Sequence, residues 1–251
     1  MNRNKIVDII FCSTMLFMIF LAYTLSYIST TMGVMGEPKG AVSIESRIFE
    51  DVTYLSVWFA IFAVIYFVTK LYLTITRKTS VYFKYLDLSF CSFAMITFVV
   101  GVTGVIMKIG PPITTDVAWF RFVTIHILVP FSILGYLSYF HLNYIYSLKE
   151  ILLAGIPNAV IVLVYVFWIT FVFAKGVERS TNVGFPYPGV AAEKVGLGVY
   201  VSLIFCGLIG FWGVTSLGAV ANNILLLKFR CPKYGQLYFK RDIFLELEQN
   251  A

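Results

Sequence analysis

Residues 151–174 read ILLAGIPNAVIVLVYVFWITFVFA, a stretch without a single charge. The hydrocarbon core of a bilayer is about 30 Å thick and asks for roughly 20 residues of helix. This stretch therefore reads as a membrane span. Five further uncharged runs cover 9–36, 52–69, 88–107, 122–148 and 195–227. A soluble domain of 251 residues has no core large enough to hide that much lipid-like surface. The expected fold class is all-α, a polytopic membrane bundle of six transmembrane helices. One membrane domain occupies 1–227, and 228–251 forms a short cytoplasmic tail.

Composition agrees. Hydrophobic residues make up 59% of the chain and charged residues 13%, against about 25% charged in ordinary soluble domains. The net charge of +6 does not call for nucleic acid as a partner, because its distribution has a membrane explanation. With both termini cytoplasmic, 12 of the 19 basic residues fall on the inner side beside six acids, and the outer side holds seven of each. The positive-inside rule selects this orientation. The expected location is a multi-pass position in a membrane, in a bacterium the plasma membrane, with lipids as the partners in contact. The first apolar run exceeds the 7–15 residues of a signal-peptide core, so it reads as a retained span.

Helices are expected near 6–30, 51–76, 85–107, 118–147, 151–174 and 194–227. Pro111-Pro112 and Pro186-Tyr187-Pro188 stiffen two of the outer links. In the last span Gly198, Ser202, Cys206 and Gly210 recur every four residues, so one helix face carries only small side chains. Such a face lets backbones approach closely and predicts a tight seam to another span. The four cysteines show no C-x-x-C spacing, which leaves no metal knuckle or disulfide framework to infer. Neither a phosphate-binding glycine loop nor any other cofactor motif is present.

Polar residues inside spans carry the functional question. Asp8 and Asp87 are placed at cytoplasmic edges, within reach of water. His126 lies deep in the fourth span with Pro130 at i+4, and a proline offers no N–H to the carbonyl four residues earlier. That carbonyl belongs to His126, so a kinked, polar spot is expected there. Thr53 falls near the outer end of the second span, where Arg121 and Tyr187 also lie. A hydroxyl becomes a nucleophile when a neutral imidazole takes its proton, so Thr53 and His126 form a candidate catalytic dyad. Arg121, Pro130, Tyr136 and Tyr187 are the candidate substrate pocket. The plainer reading of Thr53 is a helix N-cap.

Three segments carry a family resemblance: Thr53-Tyr54-Leu55-Ser56, His126-Ile127-Leu128-Val129-Pro130, and Tyr187-Pro188 before the last span. In order, spacing and sidedness they resemble the androgen-induced family of six-span membrane hydrolases and its bacterial relatives. The resemblance implies a threonine near the start of span two paired with a histidine in span four, acting on lipid esters. Bacterial relatives usually carry an acid a turn or two after the span-four proline; here Tyr136 occupies that place. Two other functions compete with lipid ester hydrolysis. One is a non-catalytic membrane scaffold or assembly partner. The other is a transporter, disfavoured because the spans show almost no ion pairs and no repeated halves.

Overall fold

The computed structural model describes residues 3–33, 44–77, 83–107, 113–140, 144–174 and 195–227. Its helices are α1 (Arg3–Met32), α2 (Ile44–Asp51), α3 (Leu55–Thr76), α4 (Phe83–Ile106), α5 (Asp116–Val123), α6 (Val129–Phe140), α7 (Leu148–Ala154), α8 (Ile156–Ala174) and α9 (Leu197–Leu225). A π-helical segment, Thr124–Leu128, joins α5 to α6. Six stretches are long and apolar enough to cross a membrane: Lys5–Met32, Leu55–Thr76, Phe83–Ile106, Asp116–Ser138, Leu148–Phe171 and Leu197–Leu225. The chain is a multi-pass membrane protein.

Element boundaries differ from expectation at three places, each for a local reason. Asp51 does not begin the second span. It ends the separate helix α2, because the chain turns through Val52–Tyr54 with Thr53 N–H bonded to Glu50 O and Tyr54 N–H to Asp51 O. The fourth span does not stay helical to 147: α6 is described to Phe140, and Tyr144–Ser147 are non-helical. There Tyr146 N–H donates to Asn223 Oδ1 at 2.8 Å, and the Asn223 amide donates to Tyr146 O at 2.7 Å. Asn222 does the same for Tyr144 O at 2.8 Å. Two consecutive asparagines at the end of α9 thus supply the hydrogen bonds that a helix would have made itself. Burial raises the pKa of the Tyr146 phenol, which stays neutral and donates to Lys84 O at 3.0 Å. Ser147 then starts α7 with a capping box to Glu150.

Helices α1, α3, α4 and α6 form the central group, with α1 on α3 and α4 on α6. Helices α8 and α9 pack together and lie against α4. The centre is aromatic: Phe59, Phe67, Phe90 and Phe93 are completely buried. Phe59 meets Phe93 edge-on at 5.4 Å, and Phe67 meets Phe90 in the same way. Interlocking rings supply dispersion contacts, the main attraction between helices where the surrounding lipid is equally apolar.

The small-residue face of α9 behaves differently from expectation. Gly198, Ser202, Cys206 and Gly210 are all exposed, and a Cβ added at Gly198 or Gly210 would meet nothing within 4 Å. Among the described residues of one copy of the chain, the tight seam expected there does not form. What holds α9 lies nearer its other end: Thr215, Ala219, Asn222 and Asn223 are buried. The Asn158 amide joins Thr215 Oγ1 and Ser89 O, both at 2.9 Å, tying α8, α9 and α4 together.

Candidate functional site

The helix irregularity expected at Pro130 takes the form of the π segment that precedes it. Val129 N–H reaches back five residues to Thr124 O, so the bonding pattern has already shifted before the residue that cannot donate. His126 sits in the middle of this segment. Its Nδ1 lies 3.2 Å from Phe122 O, and the Phe122 ring stacks on the imidazole at 4.6 Å. Gly101 of α4 also lies against the ring: an added Cβ there would fall 2.2 Å from His126 Cδ2. Glycine is what makes room for the ring. With a carbonyl as its partner, Nδ1 carries the proton. Nε2 then presents its lone pair and has no hydrogen-bond partner among the described residues.

Thr53 is buried in the turn between α2 and α3. Its hydroxyl donates to Glu50 O at 2.6 Å, and its carbonyl accepts from the Tyr165 hydroxyl at 2.8 Å. The N-cap of α3 is Tyr54 with no side-chain cap bond, so Thr53 does not cap that helix. Among the described residues no hydrogen bond joins Thr53 to His126.

The candidate pocket residues part company. Arg121 makes a bidentate pair with Asp51, at 2.7 and 3.1 Å, and also donates to Ser26 Oγ at 3.2 Å. Its guanidinium lies over the Tyr23 ring at 5.6 Å. It thereby ties α1 and α2 to α5 near Thr53. Pro130 is buried where α6 begins. Tyr136 does not belong with them. It lies ten residues past His126, roughly 15 Å along the helix, and its hydroxyl donates to Asp8 Oδ1 at 2.6 Å. Its ring stacks on Phe11 at 3.8 Å. The expectation that Tyr136 lines the same pocket as Arg121 is corrected by that separation. Tyr187 lies outside the described residues.

A second polar cluster went unread in the sequence. Asp87 is not at a wet edge; it is buried and ion-paired with Lys70 Nζ at 3.1 Å. The Tyr66 hydroxyl donates to the same carboxylate and accepts from Lys70 at 2.8 Å. The ammonium also lies 5.3–5.7 Å from the rings of Tyr66, Phe83 and Tyr136. The bundle therefore contains ion pairs at both of its ends, and their supposed absence is no longer an argument against transport. Between the two ends lies the packed phenylalanine core.

Beside Thr53 runs an apolar groove of about 200 Å³ between the start of α3, α8 and α9. Leu55, Tyr165, Ile169, Tyr200, Leu203 and Gly207 are among its lining residues. Among the described residues no group of three or more His, Cys, Asp or Glu side chains is arranged to hold a metal. No family model, curated protein or solved structure matches the chain.

Proposed function

We propose that the chain hydrolyses lipid esters within the membrane, with His126 as the base and Thr53 as the nucleophile. The observation that carries this reading is the state of His126. Its Nδ1–H is held by Phe122 O, and its Nε2 is unpartnered among the described residues. An imidazole oriented from behind with a free lone pair in front is equipped to take a proton. The Phe122 carbonyl performs the orienting task that an acid performs in other such sites, which makes the tyrosine at position 136 compatible with catalysis.

In the reaction the Thr53 hydroxyl leaves Glu50 O and passes its proton to Nε2 as Oγ1 bonds to the ester carbonyl carbon. The tetrahedral intermediate expels the alcohol, which takes the proton from the imidazolium. Water, activated by the same Nε2, then releases the acid and restores Thr53. General-base catalysis contributes about 10²- to 10⁴-fold, so His126→Ala and Thr53→Ala are each expected to lose at least 100-fold in acyl-ester cleavage by purified protein in detergent. Thr53→Ser, which keeps a hydroxyl, retains a measurable part of the rate. Full activity in both alanine variants, with unchanged thermal unfolding, sinks the reading.

A second reading, an assembly partner, is favoured by one observation: the uncovered small-residue face of α9. Gly210→Leu separates the two. It abolishes a defined cross-linked complex under the assembly reading and leaves ester cleavage untouched under the first.

A further inference from the structure

Three buried polar atoms near Thr53 have no hydrogen-bond partner among the described residues: Arg47 Nε, Glu50 Oε2 and Trp168 Nε1. Unmet polar groups in a membrane protein are expensive, and each calls for a reason. Arg47 and Glu50 are on α2, Trp168 is on α8, and the Phe49–Trp168 ring contact at 6.1 Å brings the two helices together. On α8, Tyr165, three residues before Trp168, and Ile169, the residue after it, line the apolar groove. Thr53 connects the two features: its hydroxyl is on Glu50 O, and its carbonyl is on the hydroxyl of groove-lining Tyr165.

We infer that this end of the bundle binds a neutral single-chain amphiphile, with an alkyl chain in the groove and a hydroxyl-bearing ester head at Arg47, Glu50 and Trp168. The two donors, Arg47 Nε–H and Trp168 Nε1–H, suit carbonyl or hydroxyl oxygens, and Glu50 Oε2 accepts from a hydroxyl. Charge decides the class of head. Arg47 is matched by Glu50 at 3.7 Å and Arg121 by Asp51, so neither guanidinium is left to hold a carboxylate or a phosphate. Width decides the tail. A groove of about 200 Å³ takes part of one alkyl chain and not a helix, whose diameter is about 10 Å. A monoacylglycerol has this chemistry, and its ester falls beside Thr53. Binding stands apart from the hydrolase reading; only cleavage of the bound ester rests on it.

The test is equilibrium binding of radiolabelled 1-monooleoylglycerol, and separately of oleate, to the full chain in detergent, above the background of an unrelated six-span protein. The wild type is expected to bind the monoglyceride about tenfold more tightly than oleate, a difference of about 1.4 kcal/mol. Gly207→Phe fills the groove, where an added Cβ meets nothing within 4 Å, and lowers monoglyceride affinity about tenfold. Leu203→Trp does the same should the first variant unfold. Trp168→Phe removes one donor and weakens monoglyceride binding by about fivefold, the worth of one hydrogen bond, without weakening oleate binding. Oleate bound as tightly as monoglyceride, or affinity unchanged in both groove variants, overturns the inference. So does a wild-type dimer that Gly207→Phe converts to monomer without loss of lipid. A wild type that binds the monoglyceride and does not cleave it removes the catalytic reading and leaves this one standing.

Discussion

Gly101 illustrates how one residue on α4 governs a group on another helix. Any side chain there collides with the imidazole of His126, since a Cβ alone would approach Cδ2 to 2.2 Å. The ring is held in place, because one of its faces is stacked on Phe122 and its Nδ1 lies on a carbonyl of its own helix. Gly101→Ala is therefore expected to be destabilising by about 1–3 kcal/mol, the usual cost of overpacking, and to reduce ester cleavage by more than its effect on the folded fraction explains. A thermal-unfolding curve and an activity assay on the same preparation check both statements; an alanine variant with wild-type stability and rate refutes them. His126 and Pro130 were legible in the sequence because covalent chemistry acts along the chain: a proline disturbs bonding four residues back wherever it stands. Gly101 was not, because nothing in a string of apolar residues says which glycine faces which ring. The partners of Thr53 were hidden for the same reason. Its hydroxyl is taken by a carbonyl three residues away in a turn that hydropathy does not resolve.

At the scale of elements, α3 and α4 form a pair whose charges make sense only together. Lys70 and Asp87 each add a charge to an otherwise apolar span, and their buried contact cancels both. A lone buried charge is costly, while removal of both partners is often neutral. Lys70→Met and Asp87→Leu are each expected to destabilise the protein by about 3–5 kcal/mol. The double variant should recover most of that loss. The measurement is a double-mutant cycle of thermal unfolding in detergent, and simple additivity of the two single losses would contradict it. Hydropathy gave the depth of Asp87 correctly, near the start of its helix, and missed its direction. Depth follows from counting residues; azimuth follows from neighbours that only the folded chain supplies. The same limit explains α9, whose small-residue face was visible as a pattern and whose exposure was not.

For the molecule as a whole, the six-span plan was legible because it rests on length and composition, quantities that tertiary contacts do not alter. Sidedness rests on the distribution of Lys and Arg, and it has a direct consequence for chemistry. If both termini are cytoplasmic, as that distribution predicts, then α2, Thr53 and Arg121 face outward, while Lys70, Asp87 and Asp8 lie toward the cytoplasm. A membrane-impermeant maleimide distinguishes the two faces. Cys12 and Cys91 are buried, and Cys206 projects from a span, so none of the three should react with a reagent confined to water. Glu45 is exposed on α2, and a cysteine placed there by Glu45→Cys is expected to label in intact cells. Cys231, in the tail, should label only after the membrane is opened. The reverse pattern would turn the bundle over and present the Thr53 site to lipids of the inner leaflet. Amphiphiles would then have to come from the cytoplasmic side, and a supply of ester outside the cell would be irrelevant to this protein.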